Sequence, residues 1–298
     1  MTDFKIGADP EFGFINSNDD VVEASSLIAD TGSMFGTDGN SDIGEIRPAA
    51  DEDPIMVVEN ILDAMRQGMK RNPSTAQPNI RWKAGSRVGT NPIGGHIHFG
   101  VKGMGLKADR AIGSLDTWLA QPALLLEDRE EAHYRRSHGY GHLADYRNQA
   151  WGFEYRTLSS WLTSPQVSMG VLCLAKTIMW EVINHDLSPH THPADLAPYA
   201  GMGEFDAGNM SRFRAKFPTL WEHVKKMELY EKYKEPIDFI GSLIERQMTW
   251  FPKIEVREAW GLDIAPPPPP VARLSLPRRS ISRIWTGVTE AACIGEEV

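Results

Sequence analysis

The chain has 298 residues, 31 Lys and Arg against 40 Asp and Glu for a formal charge of −9, and 41% hydrophobic residues. A chain of this length and apolar content buries a core without staples, two cysteines exclude a disulfide scaffold or thiolate metal cluster, and the acidic balance opposes the counterion release that drives binding to duplex nucleic acid. No run of about 18 apolar residues is present, and MTDFKIGADPEF lacks the basic start and apolar run of a signal peptide, so the expectation is a cytoplasmic protein with no membrane partner.

In chain order, the first element is the strand FKIGADPEFGFI. Alternation places Phe4, Ile6, Phe12 and Phe14 on one face and Asp9 and Glu11 on the other. DIGEIRPA follows, with Glu45 and Arg47 on the same side and Ile46 opposite. Pro54 to Arg71 has the apolar spacing of an amphipathic helix. GGHIHFG points His96 and His98 one way and Ile97 and Phe99 the other. Residues from about Lys107 to His133 read as helical with an interruption near Pro122. GFEYRTL then puts Glu154 and Arg156 on one face. Ser164 before Pro165 is the start signal of a long apolar helix reaching about His185. Ser188 to Asn209 reads as a loop, its His190 and His192 as incidental surface histidines, and Leu220 to Tyr233 and Ile237 to Trp250 as helices.

Five consecutive prolines, Pro266 to Pro270, divide the chain. The expected organisation is a catalytic domain over 1–264, a proline linker over 265–270 and a tail over 271–298. The tail carries four arginines against three glutamates. It reads either as a disordered terminus or as a docking segment for a protein partner, with Ile284 and Trp285 as anchors.

Four strands thus repeat one design, an ionisable pair at i, i+2 against an apolar opposite face. Joined in one sheet, they would gather Asp9, Glu11, Glu45, His96, His98 and Glu154 with Arg47 and Arg156 on one side, and pack the other on the helices. Carboxylates so close repel unless a cation sits among them, and an oxygen-rich set with imidazole favours Mg²⁺ or Mn²⁺. The arginines suit an anionic substrate carrying phosphate or carboxylate. No GxxxxGK[ST] loop occurs, so any nucleotide is held mainly through its metals. Two other readings stay open. One is a Zn²⁺-dependent hydrolase using His96, His98 and carboxylates, which cleaves without ATP. The other is a non-catalytic virion or scaffold protein that binds through the proline-tethered tail. A cupin reading of GGHIHFG is weaker, because no Glu follows His98 until Glu127.

The succession GADPEFGF, DGNSDIGEIRP, GGHIHFG and YGHLADYRNQAWGFEYRTLSSWL resembles the carboxylate–amine ligase superfamily typified by glutamine synthetase and glutamate–cysteine ligase. It is more closely similar to the phage-encoded amidoligases of type 2, over about residues 1 to 165. The resemblance implies an α+β fold, a curved, mainly antiparallel sheet with a polar metal-binding face and helices on the other, like the catalytic domain of glutamine synthetase. It implies metal ligands at Asp9, Glu11, Glu45, His96 and Glu154, and leaves open whether Asp38 joins them. His98 falls near the phosphates or substrate, Arg136, Arg147 and Arg156 on the ATP phosphates and acyl phosphate, and Arg47 on the substrate. The implied reaction joins a small-molecule or peptide carboxylate to an amine with ATP and Mg²⁺, through an acyl phosphate. A separate N-terminal domain of the glutamine synthetase kind is not recognisable in this chain.

Overall fold

The computed structural model describes residues 1–29, 32–103, 108–188, 201–250 and 255–262. Pro266 to Pro270, the tail 271–298, and His190 and His192 lie outside the described residues.

The strands are β1 (Lys5–Ile15), β2 (Val21–Val22), β3 (Phe35–Thr37), β4 (Ile43–Ile46), β5 (Arg81–Lys83), β6 (Arg87–Val88), β7 (Asn91–Pro92), β8 (Gly95–Gly100), β9 (Tyr146–Gln149) and β10 (Gly152–Tyr155). The helices are α1 (Ala24–Leu27), α2 (Pro54–Arg71), α3 (Ala108–Leu115), α4 (Gln121–Leu124), α5 (Arg129–Ser137), α6 (Pro165–Asn184), α7 (Met202–Asp206), α8 (Met210–Val224), α9 (Lys234–Glu245) and α10 (Val256–Ala259). A π-helical turn, Asp116–Ala120, joins α3 to α4.

β1 is the spine. Eight strands form one sheet along the path β3-β4-β1-β8-β10-β9, with β2 and β5 also paired to β1, and every pairing is antiparallel. β6 and β7 form a separate small ribbon. The fold is therefore α+β with a mainly antiparallel sheet, as expected.

One face of the sheet is an aromatic floor. Phe99 lies 6.3 Å from Phe4 and 5.1 Å from Phe153, and Phe12 stacks on Trp82 at 4.9 Å. Against it packs α2, which touches β1, β3 and β4 and buries Val57, Val58, Ile61 and Met65. Behind α2 stands α6, packed also on α3 and α9. By length and composition α6 could cross a membrane, yet 83% of its apolar window is buried inside this fold. Its Lys176 ammonium donates to Asp3 Oδ1 and to the Phe4 carbonyl, each at 2.5 Å, and ties down the start of β1.

The helical region after residue 107 is interrupted near Pro122, as expected: the π-helical turn Asp116–Ala120 runs directly into α4, and the chain leaves the helix at Leu125–Asp128 before α5 begins. Asp128 then caps α5 by accepting from the Glu131 amide at 2.9 Å. Several expected boundaries move. The expected helix Leu220 to Tyr233 is instead α8, starting at Met210 and ending at Val224. Met227, Tyr230 and Tyr233 follow in turns whose amides bond three residues back, to Val224, Met227 and Tyr230. That spacing of three buries the same side chains and imitates a helix in sequence. α9 closes at Glu245 rather than reaching Trp250, and α7 lies within the expected loop.

Candidate functional site

β4, β1, β8 and β10 are consecutive neighbours in the sheet, so the four ionisable pairs fall side by side. Register sets the contacts. Glu11 stands opposite Glu45, Asp9 opposite His96, and His98 opposite Glu154, while Arg147 of β9 stands opposite Glu154 from the other side.

The tightest cluster is Asp9, His96 and Glu154, whose ligand-capable atoms all lie within 4.8 Å of one another. His96 Nδ1 is 3.2 Å from Asp9 Oδ1 and 3.4 Å from Glu154 Oε1. His98 Nε2 approaches Asp9 Oδ1 at 3.2 Å. Among the described residues Asp9 Oδ1, Glu154 Oε1 and His98 Nε2 are buried without a hydrogen-bond partner. Glu154 is fixed through its other oxygen, which accepts from Arg147 Nε at 2.9 Å, Arg147 at its terminal nitrogen at 2.6 Å, and Gln149 at 3.1 Å. Arg156 Nε stands 3.4 Å from Glu154 Oε1.

Glu11 is held differently. Its Oε2 accepts from the Gly94 amide at 2.6 Å and its Oε1 from the Tyr140 hydroxyl at 3.0 Å. Glu45 is paired with Arg47, whose guanidinium also donates to the Thr37 carbonyl at 2.9 Å and the Ser33 carbonyl at 3.2 Å.

Burial dominates the electrostatics. It raises the Glu11 carboxyl above its ordinary value, partly offset by the His96 charge. Burial and then the Asp9 charge push Glu45 up to about 9, against the pull of Arg47. Asp9 and His96 behave oppositely. Burial penalises charge on both, but contact with His96 and His98 outweighs it for Asp9, which falls below the carboxylate range. For His96 the Asp9, Glu11 and Glu154 carboxylates outweigh burial and raise the imidazole. Burial and the Glu11 charge keep the Tyr140 phenol protonated.

These groups open into a cavity of about 350 Å³ lined by Asp9, Glu11, Glu45, His96, Arg147 and Arg156, together with Asp38, Asn40, His138 and Tyr140. Glu154 and His98 touch this lining directly. Arg47 and Arg136 do not join it. Arg47 braces Glu45, the Ser33 carbonyl and the Thr37 carbonyl of β3. Arg136 is buried in a two-pronged pair with Glu127, at 3.1 and 3.2 Å, with its guanidinium over the Phe205 ring. The phosphate contact expected of Arg136 has no counterpart in this placement.

Sequence reasoning gave no role to Tyr140, Arg135, Asn40, His138 or Gln149. The Gly-Tyr-Gly run at 139–141 marks a loop, but nothing local shows which strand that loop meets.

The cluster fits a hard divalent cation. Two carboxylates and one imidazole supply an oxygen-rich set, and Asp9 Oδ1 and Glu154 Oε1 are buried without accepting a hydrogen bond among the described residues, which leaves lone pairs for an ion.

Residues 6–262 match the family model described as Phage phiEco32-like COOH.NH2 ligase-type 2. No curated protein matches the sequence. Among solved structures, a bifunctional glutathione synthetase from Pasteurella multocida is 10% identical with a TM-score of 0.48, covering 88% of this chain and 50% of that one. GmaS, in its apo form without ligand, is 14% identical with a TM-score of 0.41, covering 76% and 72%. The chain thus spans half the length of that glutathione synthetase.

Proposed function

Since the chain belongs to the family of phage phiEco32-like COOH-NH2 ligases of type 2, we propose that it joins a carboxylate to an amine with ATP, through an acyl phosphate. The observation that carries this reading is the buried Asp9, His96 and Glu154 cluster bordered in one cavity by Arg147 and Arg156. Asp9, His96 and Glu154 would hold Mg²⁺ or Mn²⁺, with Glu11 and Glu45 beside them. When bound, the ion supplies charge neutralisation for phosphate oxygens.

The chain's own groups do the rest. Arg156 and Arg147, both already turned towards Glu154, lie at the cavity wall where they can face the transferring phosphoryl group. In the first step a substrate carboxylate oxygen attacks the γ-phosphorus and ADP leaves. In the second the amine attacks the acyl carbon, phosphate leaves and the amine loses a proton. No side-chain nucleophile is needed, in keeping with Cys173 buried in the core and its thiol raised by burial. The substrates are expected to be small molecules or peptides. Arg47, expected on the substrate, is proposed here as the residue that sets Glu45 in place.

The test is incubation with ATP, Mg²⁺ and a broad pool of amino acids and peptides. ADP and phosphate are expected products. Release of AMP and pyrophosphate would overturn the acyl phosphate, and cleavage of substrate without ATP by Zn²⁺-loaded protein would favour a hydrolase.

A further inference from the structure

Tyr140 stands between two residues of the site. Its hydroxyl oxygen lies 3.0 Å from Glu11 Oε1 and 2.7 Å from His96 Nε2. The Tyr140 hydroxyl donates its single proton to Glu11 Oε1, so its oxygen is left to accept from Nε2–H of His96. The other ring nitrogen, Nδ1, faces Asp9 Oδ1 and Glu154 Oε1, both of which are buried without a hydrogen-bond partner among the described residues.

The Nε2 side is closed. A Cβ at Gly94 would stand 2.6 Å from His96 Nε2 and 3.2 Å from the Tyr140 hydroxyl, so the backbone there fits against both. Tyr140 is itself held. Arg135 lies over its ring at 4.7 Å and Arg156 at 5.5 Å. Arg135 is fully buried and donates at 2.8 Å to the carbonyls of Ile93, Thr157 and Leu158, which anchors the ring's support to the sheet.

We propose that Tyr140 is a positioning residue that keeps a proton on His96 Nε2 and so presents Nδ1, together with Asp9 and Glu154, as the binding face for a divalent cation. This rests on reading that cluster as a cation site. The partner behind a histidine ligand fixes its tautomer and ring orientation, and losing it costs roughly ten-fold to a hundred-fold in metal affinity.

Two measurements on the full-length protein test the assignment without reference to turnover. Loading histidine-¹⁵N-labelled protein with ¹¹³Cd²⁺ is expected to show cadmium–nitrogen coupling to Nδ1 of His96 while Nε2 keeps its proton; coupling to Nε2 would overturn the proposal. Calorimetric titration with Mn²⁺ alone is expected to show about ten-fold weaker binding in Tyr140→Phe than in the wild type, with an unchanged melting temperature. Equal affinity in a folded Tyr140→Phe protein would overturn the role of Tyr140 and leave the cation site standing. Failure of the wild type to bind either ion would overturn both.

Discussion

Arg156 can be removed without opening the core. Its side chain is 27% exposed, it pairs with Glu154 and Asp145, and its guanidinium lies over Tyr140. Arg156→Ala is expected to lower the rate of ADP release by about 10²- to 10³-fold, the size seen when a charge-stabilising donor is lost, with a nearly unchanged thermal midpoint. A marked fall in the midpoint with normal turnover would assign Arg156 to structure instead. Glu45 gives a pH test. Its carboxyl is pushed from 4.5 to about 9 on folding. A group raised in this way contributes stability that is fully present below its unfolded value and is lost as pH climbs towards the folded one. Without divalent ions, the melting temperature is therefore expected to fall as pH rises from about 4.5 to about 9, and Glu45→Gln should flatten that decline. Asp9 has the opposite sign, its lowered carboxyl costing stability only on strong acidification. The paired acids and histidines were legible because a period of two dictates which side chains share a face. Arg135 and Arg136 were not separable, since neighbouring helix positions differ by about 100° and docking alone decides which one reaches the Tyr140 loop.

Among the elements, those with local start signals were read well. Asp53 accepts from the Ile55 amide at 3.1 Å ahead of Pro54, and Ser164 from the Val167 amide at 3.2 Å ahead of Pro165, so α2 and α6 begin where capping chemistry says they must. β9 escaped notice because Arg147, Asn148 and Gln149 are polar on both faces, and the strand exists only through pairing with β10. That pairing matters for the site, since it brings Arg147 and Gln149 onto Glu154. Gly152, at the start of β10, has φ +155°, and a Cβ there would overlap the Phe99 carbonyl oxygen on β8. Gly152→Ala is therefore expected to push β10 from β8, cost about 1–3 kcal/mol of stability and weaken Mn²⁺ binding. Chemical denaturation and calorimetry check this, and a variant with wild-type stability would mean that the β9–β10 hairpin is not held at this spacing.

At the scale of the whole molecule, the last described segment belongs to the core, although its sequence lies far from every site motif. Trp82 of β5 donates its amide to Glu255 at 2.8 Å, Arg257 is 1% exposed and donates to the carbonyls of Thr75 and Ile80, and Trp260 Nε1 donates to the Leu162 carbonyl at 2.8 Å. The family match ends at 262, two residues short of the domain boundary read from composition. That boundary was set by the proline run, a signal of where a fold cannot continue and not of which residue last packs. We propose that residues 1–262 fold and bind as a unit. A chain stopped after Leu262 is expected to keep the melting temperature and Mn²⁺ affinity of the full chain. One stopped after Trp250 loses Glu255, Arg257 and Trp260, leaves the Trp82 amide without its acceptor and exposes apolar surface beneath β5. It should lose about 3–5 kcal/mol, the range for emptying a large buried side-chain site. Because β5 pairs directly with β1 at Gly13, Phe14 and Ile15, two residues beyond Glu11, the loss is expected to reach the cavity as weaker ion binding as well. Equal stability of the two truncated chains would place the end of the folding unit before residue 251 and remove α10 from any part in supporting the site.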